Sequence, residues 1–306
     1  MRRMWLLTAA LIAVATPGRA AEPIGVITEL HLADGQVEIK PAAGGEWLPA
    51  KPLLSISEGD QVRVAGAGRA VLVFVGTQRS TVVTPANSPY VAAPPAQPGI
   101  AERVKSAIGF LQSTPREPSR KSLTVRSSRD LSPVVLLAPR DTLVAADGLR
   151  LEWEGPQTAR YAVRIVTADG RVLWEKKGVE APLLASPPDL RLAPGRYRWE
   201  LESKGYGIQR AAFDVATAEV ARQVRAATAA VEPARYPAAT AALLKAAGLM
   251  RERFYADARR ELLQAVAASP DEPTLHVLLA VVYDKTGLES LAAGEYDRAE
   301  ALSARR

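Results

Sequence analysis

Near Thr217 the hydrophobic pattern of this chain changes period, and that switch limits its fold more than any other feature. Before it, from Ile24 to Leu201, short apolar runs such as Val37-Glu38-Ile39-Lys40 alternate with polar residues; after it the composition turns to Ala, Leu, Arg and Glu with scattered glycine. A period of two specifies half-buried strands and the later composition favours helix, so the two patterns exclude each other over the same residues. The prediction is a multidomain chain, all-β and then all-α. With 306 residues, 48% hydrophobic and 24% charged, there is length for two or three small cores.

Within 21–90, QVEIK and QVRVA alternate cleanly, and Asp34-Gly35 and Glu58-Gly59-Asp60 supply turn chemistry between runs. The order DG-QVEIK, EW, EGDQVRVAGAGRAVLVF resembles the FecR-type domain, a secreted β module; the matching residues are Gly35, Val37, Trp47, Gly59, Asp60, Gly66, Gly68, Ala70 and Leu72. Gly76-Thr77-Gln78 departs from the Asp-Gly that the family often carries after its last strand. The glycines are expected at tight turns of positive φ. The resemblance implies a sensing or scaffold role. His31, alone on a strand, is expected to be a surface or packing residue.

Five prolines between Pro85 and Pro98 mark a boundary, and 91–131 is expected to be a Pro-rich and basic linker. It contains one short helix at 101–113, with Val104, Ile108 and Leu111 on a face. The basic stretch PREPSRKSLTVRSSRD is expected to be solvated.

The β pattern resumes over 132–216. Leu149, Leu151 and Trp153 alternate, as do Tyr161, Val163 and Ile165, then Val172 and Trp174, then Tyr197, Trp199 and Leu201, and Ala168-Asp169-Gly170 reads as a hairpin turn. Strand starts this close together predict a β-sandwich. LAPGRYRWEL resembles the corner of fibronectin type III and related Ig-like domains through Leu192, Pro194, Gly195 and Tyr197, with Trp153 at the early-strand tryptophan; the resemblance implies a tyrosine hydroxyl tied back to the backbone. Trp153 and Trp199 are expected in the core, and Trp174 at an edge.

In 217–306, a helix is expected at 217–231. Beyond it Ala246, Leu249, Ala258, Leu262 and Ala265 reappear 34 positions later as Ala280, Tyr283, Ala292, Tyr296 and Ala299. That period resembles the tetratricopeptide repeat, with units at 239–272 and 273–306. The resemblance implies a partner-binding groove on the first helices: Thr240, Leu243, Ala247, Met250, Arg251, Thr274, Val277, Val281, Asp284 and Lys285. Where the family clamps a carboxylate with polar residues this chain has Leu243, Ala247, Val277 and Val281, so an apolar partner segment fits better. His276 falls at a packing position.

Met1–Ala20 has two early arginines, an apolar run from Trp5 to Ala15, and Pro17-Gly18 before Ala20. It reads as a signal peptide cleaved after Ala20, giving a periplasmic or secreted protein without an integral membrane span. Removing Arg2, Arg3 and Arg19 leaves 36 basic against 33 acidic residues. Nucleic acid is not an expected partner. There is no cysteine, the two histidines lie on different segments, and no nucleophile, phosphate-loop or metal motif appears. The reading is a non-catalytic envelope scaffold or adaptor, without cofactor or metal, binding another envelope protein through its helices. The alternatives are a peptidoglycan- or glycan-binding module and a sensory regulator acting in trans.

Overall fold

A computed structural model describes residues 22–32, 34–76, 80–94, 102–114, 134–180, 183–185 and 190–304. The expected signal peptide and the basic stretch at 115–130 lie outside the described residues. A β region is followed by a helical region, and among the described residues one α-helix and one short 3-10 turn at Pro85–Asn87 interrupt the strands.

The first β region contains β1 (Pro23–His31), β2 (Gln36–Lys40), β3 (Leu48–Pro49), β4 (Ser55–Ser57), β5 (Gln61–Ala65), β6 (Arg69–Phe74), β7 (Ser80–Val83) and β8 (Tyr90–Val91). They form two antiparallel sheets, β4-β1-β6-β7 and β3-β2-β5-β8. Ile27, Leu30, Ile56 and Leu72 of the first share a core with Val37, Ile39, Val62 and Val64 of the second.

The two sheets differ in a way the sequence encodes. β2 and β5 alternate buried and part-exposed residues, whereas β1 carries six consecutive buried residues and β6 five. GVITEL and AVLVF lack alternation because both faces of their sheet are covered. One covers the first core; the other carries Val26 and Val73 into the core of the helices.

The glycines divide in the same concrete way. Gly59 and Gly66 take φ of +82° and +63°, but Gly35 and Gly68 do not. For Gly35 the cause is close approach: a Cβ there would lie 2.2 Å from Gly68 N and 2.4 Å from Ala65 O.

The second β region contains β9 (Val135–Ala138), β10 (Thr142–Val144), β11 (Arg150–Glu154), β12 (Tyr161–Thr167), β13 (Val172–Val179), β14 (Leu183–Ala185), β15 (Gly195–Ser203) and β16 (Gly207–Val215). The sheets are β10-β16-β15-β12-β13 and β14-β11-β9, antiparallel except for β10 beside β16. Trp153 from one and Trp199 from the other lie 6.4 Å apart within a shared core. Val172 does not face inward; it is 53% exposed at the edge strand.

The helices are α1 (Glu102–Ser113), α2 (Ala218–Ala229), α3 (Ala238–Arg251), α4 (Tyr255–Ala268), α5 (Pro273–Lys285) and α6 (Glu289–Ser303). The windows 239–272 and 273–306 each contain a helix hairpin, α3 with α4 and α5 with α6, and α2 packs on α3. α1 also packs on α3 and on β1, with Ala107, Ile108 and Leu111 buried.

Because the Gly35 contacts are to backbone, Gly35→Ala should destabilise the protein by about 3 kcal/mol, as overpacking without room to relax does. Thermal unfolding of the variant against the parent measures it.

Candidate functional site

Each helix leaves its first four N–H and last four C=O groups without intrahelical partners. In α3 the N-cap is Pro237, which offers no side-chain cap of its own, and the first turn has no acidic residue. The missing acceptor comes from β1. Glu29 Oε1 accepts from Thr240 N at 2.9 Å and Thr240 Oγ1 at 2.6 Å, and Thr28 Oγ1 lies 3.0 Å from the same hydroxyl. A register shift between Ile27 and Glu29 in the pairing with β6 directs Thr28 and Glu29 together toward the helix. Arg69 Nη2 donates to Glu29 Oε2 at 3.0 Å, so the buried carboxylate is paired.

One strand residue further, Leu30 N donates to Glu272 Oε1 at 3.0 Å. Glu272 is the N-cap of α5 and also accepts from Thr274 N at 3.2 Å. β1 therefore runs across the N-termini of both first helices of the hairpins, and Thr240 and Thr274 occupy matching positions 34 residues apart. Burial pushes the Glu272 carboxyl above the ordinary glutamate range; bonds from Leu30 and Thr274 oppose the shift and the Glu29 charge adds to it.

The second β region makes the complementary junction. α4 has no side-chain cap on its own N-cap residue, Phe254; Ala256 N donates instead to Thr142 Oγ1 on β10 at 3.3 Å. Arg253, at φ +64° in the turn between α3 and α4, accepts from Leu143 N at 2.9 Å. Arg140 Nε donates to Thr286 O at 2.6 Å, where α5 ends. Arg259 Nη1 on α4 donates to Glu152 Oε2 on β11 at 2.6 Å, with both groups largely buried.

These contacts determine where the expected groove residues lie. Thr240, Leu243, Ala247, Met250, Thr274, Val277 and Val281 are buried; Asp284 is half-buried, and Arg251 and Lys285 are exposed. The five apolar ones share a core with Val26, Val73, Ala107, Ile108 and Leu111. β1 packs on both α3 and α5, and α1 packs on α3. Asp284 accepts from Tyr296 Oη at 3.3 Å and Arg251 Nε donates to Glu252 at 2.9 Å.

His276 is buried in α5, with Nδ1 2.6 Å from Glu295 Oε2 and Nε2 2.9 Å from Pro270 O. Burial alone would lower its pKa, but two acceptors on the two ring nitrogens raise it above the ordinary histidine range. His31 is exposed. Trp153 and Trp199 are buried, Trp174 is half-buried, and Trp47 lies beneath Arg63, whose guanidinium carbon is 4.4 Å from the ring centre.

Among the described residues no three metal-ligating side chains lie together. A depression of about 340 Å³ on the five-stranded sheet is lined by Arg160, Arg164, Lys177, Glu202 and Lys204. Arg160 pairs there with Glu180, and Arg164 with Glu175 and Glu202. No family model and no curated protein matches the chain.

Glu29, Glu272 and Thr142, which build the junctions, were absent from the expected site. Glu29 was visible as an acid inside an apolar run, and Glu272 as an acid preceding Pro-Thr at a helix start.

Two predictions follow from this geometry. Glu29→Ala leaves Thr240 N buried without an acceptor and should cost about 3 kcal/mol, measured by denaturant unfolding. Glu272 and His276 both have folded pKa values above their unfolded ones. Their contributions are therefore complete below roughly pH 4.3 and 6.5 respectively and are lost as pH rises through the raised values. In denaturant titrations across pH, Glu272→Gln should flatten the lower part of that decline and His276→Gln the upper.

Proposed function

We propose that the chain is a non-catalytic scaffold or adaptor of the cell envelope whose helices hold two β modules in fixed relation and bind another envelope protein. The observation that carries this reading is capping across modules: β1 supplies the cap of α3, and β10 supplies that of α4. Bonds of this kind between buried groups fix orientation more strictly than apolar contact does.

The resemblances support the same reading. Paired helices recur at the 34-residue offset of tetratricopeptide-type units. The Tyr197 hydroxyl donates to Ala193 O at 2.9 Å, which suits a fibronectin type III or Ig-like corner, and the first β region carries the FecR-type glycines. An envelope location rests on Met1–Ala20 as a cleaved leader, and no described helix is long and apolar enough to cross a membrane.

Photo-crosslinking residues placed at Arg251 and Lys285, exposed at the ends of α3 and α5, test binding through the helices. The same chemistry at Val172 and Ile208, exposed on the β region, is the comparison. Adducts with one envelope protein from the helical pair are expected. Adducts arising only from the β pair would overturn binding through the helices.

A further inference from the structure

The depression of about 340 Å³ lies on the five-stranded sheet, on the face opposite to buried Trp199, and the register of β13 shapes it. Tyr161 stands opposite Val179 and Val163 opposite Lys176, which leaves Ala162 facing two residues, Lys177 and Gly178. This is a β-bulge, a local device that bends a strand and re-aims its side chains. Gly178 takes φ of +73° within it, and no atom lies within 4 Å of where its Cβ would be. Ala162 and Gly178 therefore make a floor without long side chains. The walls follow from the period of two. Arg160 and Arg164 flank Ala162 on one side of the sheet, and Glu202, directly opposite Ala162, is followed two positions on by Lys204. Ser203 Oγ donates to Arg160 O at 3.0 Å and ties the two strands together at this end.

The four cations differ in their freedom. Arg164 is held by Glu175 at 2.7 Å and Glu202 at 2.8 Å, so it neutralises acids of the site and has little left to offer a ligand. Lys177 is 3.7 Å from Glu175. Arg160 and its partner Glu180 are both more than half exposed, and such pairs contribute only about 0–1 kcal/mol. Lys204 is exposed and enters no ion pair among the described residues. Arg160, Arg164, Lys177 and Lys204 thus stand against Glu175, Glu180 and Glu202, an excess of one positive charge over a small concave floor.

We propose that this depression binds a sugar-sized organic anion, with its carboxylate or phosphate held by Arg160, Lys177 and Lys204 and its body resting on Ala162 and Gly178. Small-molecule clefts span about 300–1,000 Å³, and this one lies at the lower end. The guanidinium of Arg160 presents two parallel donors to either anionic group. Tyr206, in the turn after Lys204, and Ile208, opposite Glu202, are exposed beside the walls and suit a ligand with a carbon-bearing face better than a bare ion. Such binding is independent of any protein held by the helices and goes beyond it.

In amide NMR titrations of the purified protein, glucuronic acid or glucose 1-phosphate should shift the Ala162, Gly178 and Lys204 signals saturably, with a Kd on the order of 1 mM. The two arms separate a carboxylate from a phosphate, and uncharged glucose should leave the signals in place. Binding should weaken about fivefold between roughly 0.05 and 0.3 M salt. Arg160→Gln and Lys204→Gln should each weaken it about fivefold, as loss of one charge-assisted bond does. Ala162→Leu keeps every charge but fills the floor, and should abolish binding. Absence of a saturable shift with either sugar anion would overturn the proposal, as would inorganic phosphate binding as tightly as they do or an Ala162→Leu variant binding like the parent. If Ala162→Leu does not fold, the phosphate comparison and Lys204→Gln decide.

Discussion

Short helices expose unsatisfied backbone groups at both ends, and in this protein several of those ends are completed from other parts of the chain. Pro237 and Phe254 stand where α3 and α4 need an oxygen acceptor and provide none from a side chain. Glu29 and Thr142 provide it from two different β regions. Arg140 does the converse at the C-terminus of α5, donating to Thr286 O. A cap is worth on the order of 1 kcal/mol when exposed, but a buried N–H left without an acceptor costs about 1–3 kcal/mol. Once β1 covers the N-terminus of α3, Glu29 is no longer one contributor among many. It is the condition on which the covering is tolerable.

The same requirement explains a charge that would otherwise be out of place. Glu29 and Glu272 are both about 2% exposed, and two buried carboxylates side by side repel one another. Arg69 balances one of them. The other is held by N–H groups from Leu30 and Thr274, and it resists ionisation in consequence of its burial. A single carboxylate bridging a strand N–H and a helix N-terminus fixes the register of β1 against α5. An apolar contact could slide, whereas this one cannot without leaving Leu30 N unpaired.

Much of the element pattern was legible, because periodicity is local. The alternation of QVEIK and QVRVA became β2 and β5, and the 34-residue recurrence of Ala246 and Leu249 as Ala280 and Tyr283 became paired helices. The relation between segments was less accessible. The non-alternating run in β1 and β6 signals a sheet covered on both faces, but nothing within those residues says that α1 and helices more than 200 positions away contribute to the cover. Likewise α1 carries an apolar face at 107, 108 and 111, and a linker composition on either side disguises it as a surface helix. Leu243 and Val277 lie on the first helices of the hairpins. Their burial depends on β1 and α1, which a repeat register does not contain.

The sequence distances in these contacts also bear on how the fold is reached. Glu29 and Thr240 are 211 positions apart, and Leu30 and Glu272 are 242 apart. Loop closure of that length is costly until many contacts form together, while each helix hairpin and each β region is built from nearer neighbours. The N-terminus of α3 therefore remains uncapped until β1 docks. The strand in turn exposes Val26, Thr28 and Glu29 until the hairpins present their ends. Each surface is incomplete alone in both its apolar and its hydrogen-bonding parts, so their union is selective: an apolar partner without a carboxylate at the position of Glu29 would bury Thr240 N unsatisfied. The arrangement favours the chain's own β1 at this junction, while α1 packs on both α3 and β1 and brings the apolar Ala107, Ile108 and Leu111 to the same core.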